Sequence, residues 1–134
     1  MLNNADSAQI AEAAVAILIE KKAIDVSMYE VGADNPITDY YINATGRSIN
    51  NVAALADEVA FKLSEAGKSD IRLEGKRGNA WILIDCGEVI INIFDKETRG
   101  FYNLDRLMPA ESVRDISHII KLVDEKMKIN NTEE

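Results

Sequence analysis

Cysteine occurs once, as Cys86, and histidine once, as His118. A lone cysteine excludes an intrachain disulfide, and one residue of each kind excludes a zinc site built from both. No apolar run approaches the ~20 residues that carry a helix across a bilayer. The opening Met1-Leu2-Asn3-Asn4-Ala5-Asp6 has neither the basic start nor the apolar block of a signal peptide, so a cytoplasmic protein with no membrane partner is expected. Basic residues are scarce: 15 Lys and Arg stand against 23 Asp and Glu, a formal charge of −8. That balance argues against direct grip on a nucleic-acid backbone and suits a basic protein partner. Also missing are a Walker loop, a Gly-x-Gly-x-x-Gly turn, an internal repeat and any low-complexity tract. The 134 residues are expected to form one domain, 1–134, burying roughly 68–70% of the unfolded surface.

The strongest positive signal is Ala80 to Phe94. Two β-branched-rich runs, Trp81–Ile84 and Val89–Phe94, flank Asp85-Cys86-Gly87-Glu88. Gly87 accepts the positive φ of a tight connection and Asp85 can bond the backbone that follows, so a β-hairpin is expected. Neither run alternates cleanly, which predicts strands covered on both faces at the centre of a sheet. The function is expected near Trp81, Cys86 and Tyr102, with the apolar segment Phe101 to Met108 lying over one end of the hairpin.

Before the hairpin, Asp6 or Ser7 can cap a helix carrying Ile10, Ala14, Ile17 and Leu18 on one face. Ile24–Val31 reads as a strand with one wet face near a sheet edge, and 32–36 as a turn. Thr38–Thr45 reads as a second strand. Ser48 then caps a helix with the stripe Val52, Leu55, Ala56, Val59 and Leu63, closed by Gly67. Ile71–Glu74 is a short strand, and 75–79 a polar loop. After the hairpin, Ala110–Met127 (residues 110–127) is expected as one helix with Val113, Ile116, Ile120, Val123 and Met127 inward, and 128–134 as a frayed polar tail. The order α-β-β-α-β-β-β-α predicts an α/β fold with a mixed β-sheet and helices on both faces.

Candidate chemistry is sparse. Cys86 sits between Asp85 and Glu88, whose charges raise a thiol's pKa and oppose a nucleophilic role. His118 reads as a surface or half-buried residue of the last helix. Gly46-Arg47-Ser48, between strand and helix, could offer backbone N–H groups to a phosphate. With Asp39 and magnesium it would make a nucleotide-binding or nucleotidyl-transferring enzyme; equally, Ser48 is simply a helix cap. Trp81, opening a β-run, reads either as core or as an interface residue.

The run Ile37-Thr38-Asp39-Tyr40-Tyr41-Ile42-Asn43-Ala44-Thr45-Gly46-Arg47-Ser48 resembles the Thr-Asp-x-x-(apolar)-x-x-Thr-Gly-x-Ser motif of the ribosomal silencing factor family, RsfS or Iojap. The match continues through Glu74-Gly75, Trp81 to Ile91, and Arg99-x-x-Tyr102-x-Leu104-Asp105-x-Leu107. The resemblance implies a nucleotidyltransferase-like fold without the catalytic carboxylates, no enzyme activity and no cofactor. It implies a partner too: the fourteenth protein of the large ribosomal subunit, whose coverage blocks joining of the small subunit when nutrients are short. It carries Trp81, Cys86, Tyr102, Leu104 and Met108 over as the contact surface. This chain has Asn92 where the family usually has His, Cys86 where an aromatic or large apolar residue is frequent, and Met108 where Trp is usual. Met keeps an adaptable apolar contact there. A homodimer using the same aromatics is the competing association.

Overall fold

The computed structural model describes residues 2–32 and 34–132. Asp6 starts the first helix, α1 (Ser7–Glu20), with its carboxylate accepting from the Gln9 N–H at 2.8 Å while the Gln9 side chain accepts from the Asp6 N–H at 3.0 Å. This reciprocal cap satisfies two N–H groups that a helix start otherwise leaves open. Ile10, Ala11, Ala14, Val15 and Leu18 are its buried face. Strands β1 (Ile24–Glu30) and β2 (Tyr40–Gly46) follow, then α2 (Ile49–Glu65). Ser48 Oγ accepts from the Asn51 N–H at 3.1 Å, and the whole expected stripe of α2 is buried. Each valine and leucine of the stripe contributes ~1.5–3 kcal/mol by leaving water. Gly67, at φ +106°, closes the helix in a conformation that glycine adopts without a Cβ penalty.

Strands β3 (Arg72–Lys76), β4 (Trp81–Asp85) and β5 (Val89–Asp95) come next. The hairpin forms as the residues require: Gly87 takes φ +82° and its N–H donates to Asp85 Oδ1 at 2.8 Å. The six-stranded sheet has the order β3-β4-β5-β2-β1-β6, with β6 the two residues Val113–Arg114. Among the described residues, only β2 and β5 pair in parallel. The crossover between them runs through α2, which lies on the same face as α1.

Three expectations change. The sheet's two faces are unequal: α1 and α2 pack on one, and on the other, among the described residues, only a short helix, α3 (Lys96–Tyr102), and the 3-10 turn Leu104–Leu107 cover part of the surface. So β5 is buried on both sides, whereas β4 alternates, with Ile82 and Ile84 buried and Trp81, Leu83 and Asp85 half-exposed. Second, 110–127 is not one helix. Pro109 is followed by a 3-10 turn, Ala110–Ser112, then β6, and α4 runs Ser117–Thr132. Backbone pairing of β6 with Met28 and Tyr29 takes the segment before residue 117 out of helix. Consequently Ile119 and Val123 face the core and Ile120 faces solvent, with α4 packed on α1. Residues 128–132 continue α4 rather than fray; Ala33 of the expected turn and Glu133 and Glu134 of the expected tail lie outside the described residues. Third, α3 begins directly after β5, capped by Asp95 Oδ1 accepting from the Thr98 N–H at 2.9 Å.

Candidate interaction surface on the less covered face of the sheet

Strand register decides which side chains share this face. The pairs Trp81↔Phe94, Leu83↔Asn92, Asn92↔Asn43 and Asn43↔Ser27 put one polar row across β4, β5, β2 and β1. Side-chain hydrogen bonds run from Trp81 through Asn92 to Asn43 and on to Asp105. The Trp81 indole N–H donates to Asn92 Oδ1 at 3.0 Å, and Asn92 Nδ2 donates to Asn43 Oδ1 at 3.1 Å. Asn43 Nδ2 in turn donates to Asp105 Oδ1 at 3.0 Å. An amide suits position 92 because it accepts on one side and donates on the other.

Asp105, on the 3-10 turn after α3, is the hub. It also accepts from Tyr29 OH at 2.7 Å and from Arg99 Nε and Nη2 at 3.0 and 3.1 Å. Burial raises its pKa, but the hydrogen bonds from Arg99, Asn43 and Tyr29 and the Arg99 charge outweigh that and hold the carboxyl at about 2. Burial, together with the bond to Asp105, pushes the Tyr29 phenol up. Arg99 reaches further, donating to the Asp25 carbonyl at 2.7 Å and to Thr45 Oγ1 at 2.9 Å. Asn103, at φ 48°, makes the left-handed turn that folds the Leu104–Leu107 segment back toward the sheet. Arg99 and Asp105 stand in the motif quoted above, yet the residues of β1 and β2 that they tie together are visible only in the fold.

Above this row sits an aromatic cluster. Trp81 stacks on buried Phe94, ring centroids 5.2 Å apart, and on Tyr102 at 5.0 Å. Tyr102 is 36% and Phe101 74% exposed. Arg77 lies over both rings at 5.8 and 5.6 Å and donates to Tyr102 OH at 3.3 Å, and Lys76 lies 5.6 Å from the Trp81 ring. Phe101 and Arg77 are additions to the expected set; strong exposure of an aromatic beside a cation is a property no local spacing reveals.

The expected residues separate accordingly. Trp81 and Tyr102 are in contact, and half-buried Leu104 rides the same turn as Asp105. Half-buried Met108 lies elsewhere, lining a hollow of about 600 Å³ with Tyr41, Leu107 and Pro109. Cys86 is a correction: it is 1% exposed and packs in the core under the helices. Along β4, odd residues face the aromatic side, so Cys86 continues the Ile82 and Ile84 side, at the opposite end of the strand and roughly 16 Å from Trp81. Burial, more than the neighbouring carboxylates, pushes its thiol up to about 11.

The phosphate-binding alternative fares differently in space. Asp39 precedes the seven residues of β2 and Ser48 follows them, a separation of roughly 23 Å. Gly46 is needed where β2 meets α2, since a Cβ there would stand 2.9 Å from Val52 Cγ2 and 3.0 Å from its backbone nitrogen. The α2 start is closed by its own side chains: Ser48 Oγ accepts from the Asn51 N–H, and Asn51 Oδ1 from the Arg47 N–H at 2.9 Å. Among the described residues, no three His, Cys, Asp or Glu side chains converge as a metal site.

A mixed-sheet α/β frame that holds a half-exposed aromatic patch on a rigid polar row has the chemistry of a binding surface. Comparison with known proteins gives the family. Residues 4–134 match the family described as "Ribosomal silencing factor during starvation". The chain is 33% identical over 90 residues to the "Ribosomal silencing factor RsfS" of Zymomonas mobilis, covering 67% of this chain and 68% of that protein. A crystal structure from Chromobacterium violaceum superposes with a TM-score of 0.72 at 31% identity, covering 77% of this chain and 86% of that one. A more distant mouse relative, "Mitochondrial assembly of ribosomal large subunit protein 1", is 27% identical over 75% of this chain and 46% of its own length. This chain belongs to the ribosomal silencing factor family.

Proposed function

We propose that this chain silences translation without catalysis, by covering the fourteenth protein of the large ribosomal subunit and so keeping the small subunit from joining when nutrients are short. On this reading the frame is that of a nucleotidyltransferase that lacks the metal-binding carboxylates, and the protein works in the cytoplasm. The observation that carries the reading is the Trp81–Tyr102 contact at 5.0 Å, partly open to solvent and backed by Phe94. Aromatics with an apolar body and a polar tip are enriched among interface residues whose truncation costs ~2 kcal/mol or more. Here Asn92 fixes the indole before any partner arrives, so little side-chain freedom is lost on binding. Leu104 adjoins the cluster on the turn after α3, Met108 would add a separate apolar contact from the hollow it lines with Tyr41, and a net charge of −8 favours a basic partner. The mouse relative's name, which places it in assembly of a ribosomal large subunit, supports the choice of subunit.

The test is co-sedimentation with purified large subunits. Trp81→Ala and Tyr102→Ala are each expected to leave the fold intact and to weaken binding at least ~30-fold, equivalent to ~2 kcal/mol. Binding retained in both folded variants would move the contact away from this cluster.

A further inference from the structure

We propose that the β3–β4 turn and the end of α3 form a contact for unpaired RNA, with a base stacked on Phe101 and a neighbouring phosphate held by Arg77. Charge is unevenly spread along this chain. Residues 72–77 carry Arg72, Lys76 and Arg77 against one carboxylate, Glu74, although the net charge of the whole is −8. Arg77 stands at the turn, where Arg77, Gly78 and Asn79 all take positive φ, 51°, 63° and 69°. That conformation is unfavourable for residues with a Cβ. Two contacts hold the turn in it: Ala80 N–H donates to Arg77 O at 3.2 Å, and the Asn79 side chain lies over Gly75. The backbone that carries the Arg77 cation is thereby fixed beside the aromatic rings.

Arg77 donates one of its five N–H groups to Tyr102 OH and, among the described residues, forms no ion pair. Its remaining donors match a phosphate, which a guanidinium can hold by two parallel bonds. Phe101 is the most exposed large apolar side chain among the described residues. It meets Tyr102 edge-on, with centroids 5.1 Å apart and 85° between the planes, so its ring is not stacked on that neighbour. A hollow of about 360 Å³ lies between Arg77, Thr98, Phe101 and Tyr102. Open rings interleaved with cations are the makeup of grooves for single strands, in which bases stack on the π-face. Two carboxylates, Asp95 and Glu97, also line the hollow. Asp95 is engaged with the Thr98 N–H, whereas Glu97 is exposed and can accept from an exocyclic amino group. Adenine has such a group and uracil lacks it, so adenine is the better occupant. An acidic peptide could satisfy Arg77, but it offers neither a flat ring for Phe101 nor an amino edge for Glu97. The overall negative charge does not forbid the contact: at ~0.1 M salt, charges more than ~10 Å away are largely screened.

This contact goes beyond the protein surface proposed above, and its test needs no ribosome. Labelled oligoadenylate and oligouridylate are titrated with the full chain at about 0.1 M salt and followed by fluorescence anisotropy. Both should bind, oligoadenylate more tightly. Phe101→Ala, shown to be folded by circular dichroism, should weaken binding about tenfold. Arg77→Gln should also weaken it, and should flatten the slope of log K against log salt by about 0.7, the share of one single-strand phosphate. Glu97→Ala should remove the preference for adenine. Absence of binding overturns the proposal, as does binding that Phe101→Ala and Arg77→Gln both leave intact. Displacement by polyglutamate as readily as by unlabelled RNA also overturns it, and would mark the patch as a site for an acidic protein. Co-sedimentation of Trp81→Ala and Tyr102→Ala with large subunits is read separately, so either result can fail without the other.

Discussion

Asp105 is the residue on which the less covered face turns. Its two oxygens take bonds from Tyr29, Asn43 and both ends of the Arg99 fork. Because its folded pKa lies near 2, below the ordinary 3.8 of a carboxylate, the ionised form is favoured by folding. That stability is fully present above pH ~4 and is lost as the pH falls toward 2. That preference for the ionised form corresponds to about 2 kcal/mol. Asp105→Asn is therefore expected to lower unfolding free energy by about 2 kcal/mol at pH 7 and to flatten its pH dependence between 4 and 2. Denaturant titrations at several pH values read both. A variant as acid-sensitive as the parent would shift the effect onto other carboxylates. Asn92 stands where the family usually has His, and in the structure its buried amide connects Trp81 to Asn43.

At the scale of elements, helix starts and helix faces are where the physics separates close neighbours. Ser48→Ala loses one side-chain acceptor and should cost about 1 kcal/mol. Gly46→Ala should cost more, because the added methyl meets the Val52 backbone nitrogen as well as its side chain, and backbone cannot rotate aside. Thermal melts of the two variants give the order directly; equal losses would mean that β2 and α2 shift apart freely. On α4 a second comparison tests the corrected stripe. Ile119→Asp places a charge in the core and should destabilise the fold by several kcal/mol, while Ile120→Asp, on the solvent side, should be nearly neutral. The reverse order would restore the phase first expected from the spacing.

For the molecule as a whole, the unequal coverage of the two sheet faces divides its work. Apolar packing under α1 and α2 holds the sheet, and the polar row on the other side ties α3 and the following turn to β1, β2 and β5. Arg99 is the main tie, since one side chain reaches Asp105, Thr45 and the Asp25 carbonyl. Arg99→Ala should release the 3-10 segment and loosen Tyr102 from Trp81 while α1 and α2 keep their helicity. Trp81 is the single tryptophan, so its emission reports the change as a red shift with far-ultraviolet dichroism conserved. An unshifted spectrum would show that stacking alone keeps the cluster in place.

Much of this was legible in residue order. The caps at Asp6 and Ser48, the α2 stripe and the turn at Gly87 depend on neighbours within four residues, and those elements formed as expected. The family motif, too, could be read along the chain. What short-range pattern left open was decided by pairing at a distance. The parallel contact of β2 with β5 sets Asn43 beside Asn92, and β6 on β1 stops 110–127 from being one helix. Seven residues of α3 have too little intrinsic helix stability to announce themselves; Asp95 and contact with β5 supply the rest. Strand alternation explains why Cys86 joined the core while Trp81 joined the surface. Sequence alone thus determined the local elements and the family, because caps, turns and helical stripes are satisfied by nearby atoms. Tertiary structure decided which face stayed open and which polar groups met across it, because those contacts join residues up to 76 positions apart.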